Sequence, residues 1–195
     1  MNLPNKLTSA RFVMTAIFLV ALYTDFKFHE TVALLFFGFA GITDHLDGRF
    51  ARKYNLITNF GKLMDPLADK IMTCSAFIAF VGLHKMAAWM VVVIVAREFA
   101  ITGLRTLAAS KNIILAAEGF GKHKTVSQIV CILAILVCMS YPEWGAFGKV
   151  FAWPIGGLPW ADQFAHLMQW VSVILTLVSG ALYLWRNRSA FLTET

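Results

Sequence analysis

The stretch DHLDGRFARKYNLITNFGKLMDPLAD, residues 44–69, decides the fold, because it places two pairs of carboxylates in a chain that is otherwise apolar. Asp44 and Asp47 are three residues apart, and Asp65 and Asp69 are four apart. Each pair falls on one face if its segment is helical, so two neighbouring helices could direct all four acids at one point. Burying a lone carboxylate at bilayer depth costs at least about 2.5 kcal/mol. These acids therefore need a compensating cation.

The composition around this stretch is that of a membrane protein. Of 195 residues, 58% are hydrophobic and only 14% are charged, and the mean hydropathy is +0.67. A spanning helix needs about 20 mostly apolar residues. We predict six such helices, at residues 8–24, 31–50, 60–83, 86–108, 124–141 and 166–186. The predicted fold is an all-α integral membrane protein: a six-transmembrane-helix bundle forming a single domain over residues 1–195, with a short N-terminal interfacial segment containing Leu3, Pro4 and Leu7.

The basic residues predict the orientation of this bundle. Of 17 Lys and Arg, only Lys27, Lys85 and Lys149 fall in the connections after the first, third and fifth predicted helices. The positive-inside rule then places both termini and the connections 49–60 and 106–123 in the cytoplasm. We predict a multi-pass protein of the inner (cytoplasmic) membrane with a cytoplasmic active site. The net charge of +6 does not indicate nucleic-acid binding, since no basic stripe is interleaved with stacking aromatics.

The connection between the fifth and sixth predicted helices, residues 142–165, is rich in proline, glycine and tryptophan. It contains Trp144, Trp153 and Trp160. Tryptophan is enriched at membrane–water interfaces. We therefore predict an outer interfacial loop anchored by these side chains.

The ligand type of the four acids predicts the metal. Carboxylate oxygens without cysteine suit Mg²⁺ or Mn²⁺, and two ions sharing carboxylates would clamp a phosphate or diphosphate. The alternative is a structural charge network at the cytoplasmic rim with the nearby cations Arg49, Arg52, Lys62 and Lys70. That alternative does not account for Gly48 and Gly61, which leave the backbone open to a bulky ligand.

Eight positions of this region form a pattern, Asp44-x2-Asp47-Gly48-x2-Ala51-Arg52-x8-Gly61-x3-Asp65-x3-Asp69. The pattern resembles the signature of the CDP-alcohol phosphatidyltransferase family, and the resemblance covers nearly the whole chain. It implies a bundle of six membrane helices, commonly a homodimer in the bilayer. It also implies that the phosphatidyl group of a CDP-linked lipid, CDP-diacylglycerol, passes to the hydroxyl of a small alcohol with release of CMP.

The resemblance further implies the roles of individual residues. Asp44, Asp47, Asp65 and Asp69 would hold the divalent ions, Mg²⁺ or Mn²⁺ and two in number, and Asp69 would be the catalytic general base. The positions implied to bind the CDP-lipid are Asn5, Thr8, Gly48, Ala51, Arg52, Thr58 and Gly61. Apart from the resemblance, Asn5 and Thr8 would be interpreted as a helix cap.

Three further segments concern the acceptor alcohol: Ala96-Arg97-Glu98, Leu104-Arg105 and Gly121-Lys122-His123-Lys124-Thr125. They resemble a pattern of the bacterial phosphatidylglycerophosphate synthase subfamily, which implies sn-glycerol 3-phosphate as acceptor. The cations implied to bind its phosphate are Arg97, Arg105, Lys122 and Lys124. Three alternatives stay open. Arg97 could pair with Glu98, the two lysines could be ordinary cytoplasmic anchors, and an inositol phosphate would suit the same charges.

Two other functional classes are less consistent with the sequence. Intramembrane prenyltransferases also use two aspartate-rich motifs and magnesium, but on well-separated helices of a larger bundle. A cation transporter would line a pore with polar residues along several helices. The sequence instead predicts that polar residues gather at one cytoplasmic level and that the fifth and sixth helices contribute almost none.

Overall fold

The computed structural model describes the backbone of residues 3–54, 59–110 and 120–188 and the side chains of residues 10–41, 70–110 and 121–188. Within that range the α-helices are α1 (Leu3–Tyr23), α2 (His29–Tyr54), α3 (Asn59–Gly82), α4 (Ala88–Ser110), α5 (Phe120–Ser140) and α6 (Trp160–Arg186). Each overlaps one of the six predicted apolar stretches. The prediction of an all-α protein is therefore confirmed.

The apolar character of the helices differs along the chain. Two helical segments of the described part, Gly121–Trp144 and Trp160–Arg186, are long and apolar enough to cross a membrane. Shorter apolar helices occupy Ala10–Tyr23, His29–Gly41 and Lys70–Gly82. The all-α class thus holds, whereas the count of six membrane spans stays a prediction.

The predicted N-terminal segment belongs to the first helix. Because α1 begins at Leu3, the backbone of Leu3, Pro4 and Leu7 is continuous with the apolar stretch that follows. Proline is tolerated in the first helical turn, where its missing N–H would have no partner in any case. The interfacial position of this segment stays a prediction.

The core between the helices is built from aromatic rings and small residues. Phe18 and Phe37 pack with their ring centroids 5.6 Å apart, which joins α1 to α2. Phe77 and Phe80 of α3 are fully buried. Small residues let helices approach closely, and those buried in this core are Ala21, Ala33, Ala40, Ala76, Ala79 and Ala134. The α1, α2, α3 group meets the α4, α5, α6 group through contacts of α2 and α3 with α5 and of α3 with α4.

The outer surface of the bundle is apolar as well. Large hydrophobic side chains on several helices are more than half exposed, among them Val20, Phe39, Ile78, Val92 and Ile174. A soluble monomer rarely exposes many large apolar side chains close together. The exposed helix faces are therefore suited to contact with lipid.

The connection before α6 is more ordered than the predicted loop. It contains two short 3-10 helices, Tyr141–Trp144 and Phe147–Val150, and a hairpin of β1 (Pro154–Ile155) and β2 (Leu158–Pro159), which pair antiparallel. The turn of the hairpin is Gly156–Gly157, with φ of +62° and +92°, a conformation that glycine adopts without strain.

The predicted start of the sixth helix at residue 166 is six residues late, because α6 begins at Trp160. Polar residues in its first turns lower the hydropathy without preventing the helix. One of them, Gln163, donates from Nε2 to the carbonyl oxygen of Leu158 at 3.0 Å.

The three tryptophans of this connection differ in their surroundings. Trp144 donates from Nε1 to Thr31 Oγ1 at 2.8 Å, and Trp160 donates to the carbonyl oxygen of Val150 at 2.7 Å. Trp153 is 69% exposed. Two of the three indole N–H groups are therefore used inside the protein, and the anchoring of the loop at a membrane interface stays a prediction.

The packing of the connection before α6 can be tested at Gly148. A Cβ at this position would lie 2.1 Å from the carbonyl oxygen of Tyr141, and backbone cannot yield as a flexible side chain can. We expect Gly148→Ala to lower the free energy of unfolding by about 1–3 kcal/mol, measured as a fall in melting temperature in detergent. Gly38→Ala is the matched control, because a Cβ at Gly38 would meet nothing within 4 Å. An unchanged melting temperature of the Gly148 variant would contradict this packing.

Candidate active site

The four carboxylates of the signature lie on two helices that follow one another in the chain. Asp44 and Asp47 are in α2, and Asp65 and Asp69 are in α3. Because both helices are continuous through these positions, the spacings of three and four residues place each pair on one helix face. The side chains lie outside the described range, so their convergence stays a prediction.

The chemistry of this donor set fits a hard divalent cation. Carboxylate oxygens are the ligands that Mg²⁺ and Mn²⁺ prefer, and each helix contributes two of them from one face. Among the side chains that the structure describes, no group of three or more His, Cys, Asp and Glu could hold a metal ion. The described part of the bundle thus contains no competing metal site.

The positions predicted to bind the CDP-lipid also lie outside the described side chains. Their places in the chain are Asn5 and Thr8 on α1, Gly48, Ala51 and Arg52 on α2, Thr58 between α2 and α3, and Gly61 on α3. The roles of these residues stay predictions.

A largely buried polar cluster, formed by Lys70, Arg97, Glu98, Lys124 and Gln128, lies among helices α3, α4 and α5. At its centre is Glu98 of α4, which is 6% exposed. Its Oε2 atom pairs with Lys70 Nζ at 3.2 Å, and its Oε1 atom accepts a hydrogen bond from Lys124 Nζ. Arg97 Nη1 lies 3.5 Å from the same Oε1 atom, and Gln128 Nε2 donates to it at 3.5 Å. We call this group the Glu98 cluster.

Lys70 connects the Glu98 cluster to the signature. It follows Asp69 directly in α3. Besides the Glu98 carboxylate, its ammonium group donates to the Glu98 carbonyl oxygen at 3.3 Å and to Thr102 Oγ1. Thr102 in turn donates to the Glu98 carbonyl oxygen at 2.7 Å. The cluster is therefore one residue from the predicted general base.

Helix α6 supports the cluster from the other side. Gln128 Nε2 donates to Thr176 Oγ1 at 3.3 Å, and Arg97 Nη2 donates to Ser179 Oγ at 3.1 Å. A Cβ at Gly180 would lie 3.1 Å from Arg97 Cγ, so glycine lets the arginine side chain run close against α6. Four helices thus hold the cluster in place.

The charge of the cluster is unbalanced among the described side chains. Lys70, Arg97 and Lys124 contribute three positive charges, and Glu98 contributes one negative charge. The side chains of the three cations are only 20%, 14% and 5% exposed. Buried cations are expensive unless anions compensate them. Glu98 compensates part of this charge, and Arg97 makes a further interaction besides these contacts.

The four residues predicted to bind the phosphate of the acceptor alcohol do not all lie in the cluster. Arg97 and Lys124 belong to it, and the predicted alternative for Arg97, an ion pair with Glu98, is present. Arg105 is exposed, and its guanidinium carbon lies 5.2 Å from the centroid of the Tyr183 ring, within cation–π range. Lys122 is exposed, in contrast to buried Lys124 on the same helix. Whether these residues bind an acceptor stays a prediction.

The prediction that the fifth and sixth helices contribute almost no polar residues is wrong. Buried polar side chains on α5 and α6 are Lys124, Ser127, Gln128, Ser140, Gln169, Ser172, Thr176 and Ser179. They pair largely within the bundle: Gln169 Nε2, for example, donates to the carbonyl oxygen of Lys85 at 3.0 Å. Hydropathy averaged over a window conceals single polar residues, because the apolar neighbours dominate the mean.

Sequence reasoning also missed Gln128, Thr102 and Thr176 as partners of the cluster. One signal was available in α6, where polar residues recur at positions 169, 172, 176 and 179. Spacings of three and four residues form a stripe on one helix face. Such a stripe in an apolar segment indicates the side that faces other helices rather than lipid.

Comparison with known proteins agrees with the signature. The family model for CDP-alcohol phosphatidyltransferase matches residues 1–178. A CDP-diacylglycerol–glycerol-3-phosphate 3-phosphatidyltransferase of Bacillus subtilis (strain 168) is 39% identical to the chain, covering 99% of it and 98% of the relative. A protein of the same name from Rickettsia felis is 32% identical, covering 93% of each chain. A probable phosphatidylglycerophosphate synthase of Mycobacterium tuberculosis is 40% identical over 72% of this chain and 68% of its own.

Proposed function

Because the chain belongs to the CDP-alcohol phosphatidyltransferase family, we propose that it transfers the phosphatidyl group of CDP-diacylglycerol to sn-glycerol 3-phosphate. The products are phosphatidylglycerophosphate and CMP. The names of its relatives support this reaction. The structural observation that carries it is the Glu98 cluster, where Lys70, Arg97 and Lys124 gather around one carboxylate and Lys70 directly follows Asp69 in the chain. The phosphate of such an acceptor is an anion of the kind that arginine and lysine side chains bind.

The reaction requires a nucleophile and a leaving group on opposite sides of one phosphorus atom. The acceptor hydroxyl oxygen forms a bond to the phosphorus on the lipid side of the diphosphate, and the bond from that phosphorus to the bridging oxygen breaks. The electron pair leaves with CMP. Asp69 takes the hydroxyl proton and, because a carboxylate is a weak base, contributes mainly by positioning the hydroxyl.

The four signature carboxylates would hold the divalent ions. Asp44, Asp47, Asp65 and Asp69 supply hard oxygen ligands for two Mg²⁺ or Mn²⁺ ions. When bound, such ions neutralise the diphosphate and make CMP a better leaving group. The nucleotide part would lie along Gly48 and Gly61, where the absence of a side chain would leave room for it to approach the backbone.

Acceptor binding would use the cations of the Glu98 cluster. Arg97 can form a bidentate contact with a phosphate, whereas Lys124 acts as a compact point charge. Lys70 adds a third cation that the sequence did not predict for this role. Arg105, and Lys122 at the exposed rim, would attract the acceptor from solution.

The membrane setting follows from charge and hydropathy together. We propose a single domain of six membrane helices in the inner membrane, with both termini and the active site at the cytoplasmic side, and a homodimer as in its family. The acyl chains of the donor must stay in lipid, since extraction costs about 0.8 kcal/mol per CH₂. An open groove on α4, lined by Phe99, Thr102, Gly103, Thr106, Leu107 and Ser110, provides an apolar surface beside the cluster.

The function is tested by CMP release from CDP-diacylglycerol with Mg²⁺ and one acceptor at a time. We expect release by the purified protein with sn-glycerol 3-phosphate and none with inositol or serine, because only the former carries a phosphate for the cations. Inositol 1-phosphate is the matched control for charge. Release with inositol 1-phosphate alone would retain the family and overturn the proposed acceptor. Absence of release with every acceptor would overturn the activity.

A further inference from the structure

We propose that the connection between α5 and α6 inserts an apolar face into the bilayer, at the boundary between the lipid headgroups and the hydrocarbon. This inference rests on the proposed membrane setting and is independent of the reaction. It goes beyond a loop anchored by tryptophans, because the contact with lipid is made by a folded hairpin and the segment before it. We call the contacting surface the hairpin face; its members are Phe147, Val150, Trp153, Ile155 and Leu158.

The hairpin face consists of large apolar side chains that are each more than half exposed. They lie within residues 147–158, and no charged residue occurs between Lys149 and Asp162. Apolar surface in water is less favourable than the same surface in an apolar medium by about 25 cal/mol per Å². Contact with lipid would remove this cost.

Aromatic packing gives the connection a fixed base. The ring centroid of Phe151 lies 5.7 Å from that of Trp160 and 5.3 Å from that of Trp144. Trp160 is the first residue of α6, and Trp144 donates to Thr31 near the start of α2. The connection is therefore tied to the ends of α2 and α6, and the exposure of the hairpin face is not that of a loosely packed loop.

The backbone of the hairpin is suited to lipid. A backbone N–H or C=O group that enters hydrocarbon needs a partner inside the protein. Strands β1 and β2 are hydrogen-bonded to each other, and Pro154 and Pro159 have no N–H group. The carbonyl oxygens of Ile155 and Leu158 both accept from Gln163 Nε2. These contacts replace hydrogen bonds that water would otherwise make.

Helix α6 places the hairpin beside an exposed apolar stripe. The exposed apolar residues that follow Gln163 at helical spacing are Leu167, Trp170, Ile174 and Leu177. Spacings of four and three residues place them on the helix face of Gln163, which contacts the hairpin. Because α6 is long and apolar enough to cross a membrane, this stripe is suited to contact with lipid. The hairpin lies at the end of the stripe, so the lipid that covers the stripe would also cover the hairpin face.

The inference is tested by measuring the depth of a spin label in phosphatidylcholine vesicles. The three native cysteines are replaced by alanine, and the label is attached to Leu158→Cys. Oxygen concentrates in hydrocarbon and a nickel chelate stays in water, so the ratio of their collision rates with the label reports its depth. We expect a higher ratio of oxygen to nickel collisions for Leu158→Cys than for Asp25→Cys, the matched control in the exposed connection between α1 and α2. The ratio should approach that of Ile174→Cys on the stripe.

Two results would overturn the inference. A ratio for Leu158→Cys equal to that for Asp25→Cys would place the hairpin in water. Low collision rates with both reagents would show that protein covers the hairpin face, such as a second copy of the chain. Because no substrate is added, neither result depends on the proposed reaction or its acceptor.

A second variant tests the same face with the native cysteines in place, in case the cysteine-free chain does not fold. Lipid with brominated acyl chains quenches the emission of a tryptophan that it contacts. We expect the emission lost to quenching to be smaller in Trp153→Phe than in the wild type. An equal loss in the two proteins would contradict contact between Trp153 and lipid.

Discussion

Asp65→Ala is expected to abolish CMP release. Asp65 is predicted to bind the divalent ions from α3, and the donor diphosphate cannot be neutralised without them. Loss of even a residue that only supports a metal ligand typically costs up to about a hundredfold, so loss of the ligand itself should lower kcat/KM by about that factor or more. The measurement is CMP release by the purified variant over a range of Mg²⁺ and Mn²⁺ concentrations.

Asp25→Ala is the control for this variant. Asp25 is an exposed carboxylate in the connection between α1 and α2, so its removal should leave the rate unchanged. The Asp65 variant should also elute from a sizing column in detergent as the wild type does. Normal activity of Asp65→Ala would refute the metal assignment and favour the structural charge network at the cytoplasmic rim.

Lys124→Gln is expected to raise the KM for sn-glycerol 3-phosphate about thirtyfold while the KM for CDP-diacylglycerol stays unchanged. Lys124 is 4% exposed, and a buried cation that binds an anion is hard to replace by water. The fold should survive the change, because Glu98 would still be paired with Lys70 and Arg97. The steady-state rates are measured with each substrate varied in turn.

Two other lysines make this prediction specific. The exposed residue Lys149, in the connection between α5 and α6, is the control, and Lys149→Gln should leave both KM values unchanged. Lys122→Gln removes a cation two residues away on the same helix, where it is exposed, and should raise the acceptor KM far less. An unchanged acceptor KM in Lys124→Gln would assign Lys124 to the cytoplasmic anchors.

Much of the fold could be predicted from the sequence because apolar stretches are local signals. Each helix of the described structure overlaps a predicted stretch, and the signature at residues 44–69 indicated the family. The boundaries were less accurate where polar residues continue a helix, as at the start of α6.

The Glu98 cluster could not be predicted in the same way. Its charged members are 28 residues apart between Lys70 and Glu98 and 26 apart between Glu98 and Lys124. A single sequence does not reveal which faces of different helices meet. The prediction therefore treated Lys122 and Lys124 alike, because both are lysines of the same segment, although only Lys124 is buried.

The Glu98 carboxylate contacts lysines on two different helices, α3 and α5. This also has a consequence for the insertion of the chain into a membrane. Ribosomes synthesise Lys70 first, then Glu98, then Lys124. In the membrane proposed for the chain, an unpaired charge at depth costs about 2.5–3.5 kcal/mol. Helix α4 brings the carboxylate that pairs with Lys70 of α3, and Lys124 of α5 then finds the same carboxylate already in place. The order of the helices along the chain thus lets Glu98, and after it Lys124, meet a partner that is already in the chain.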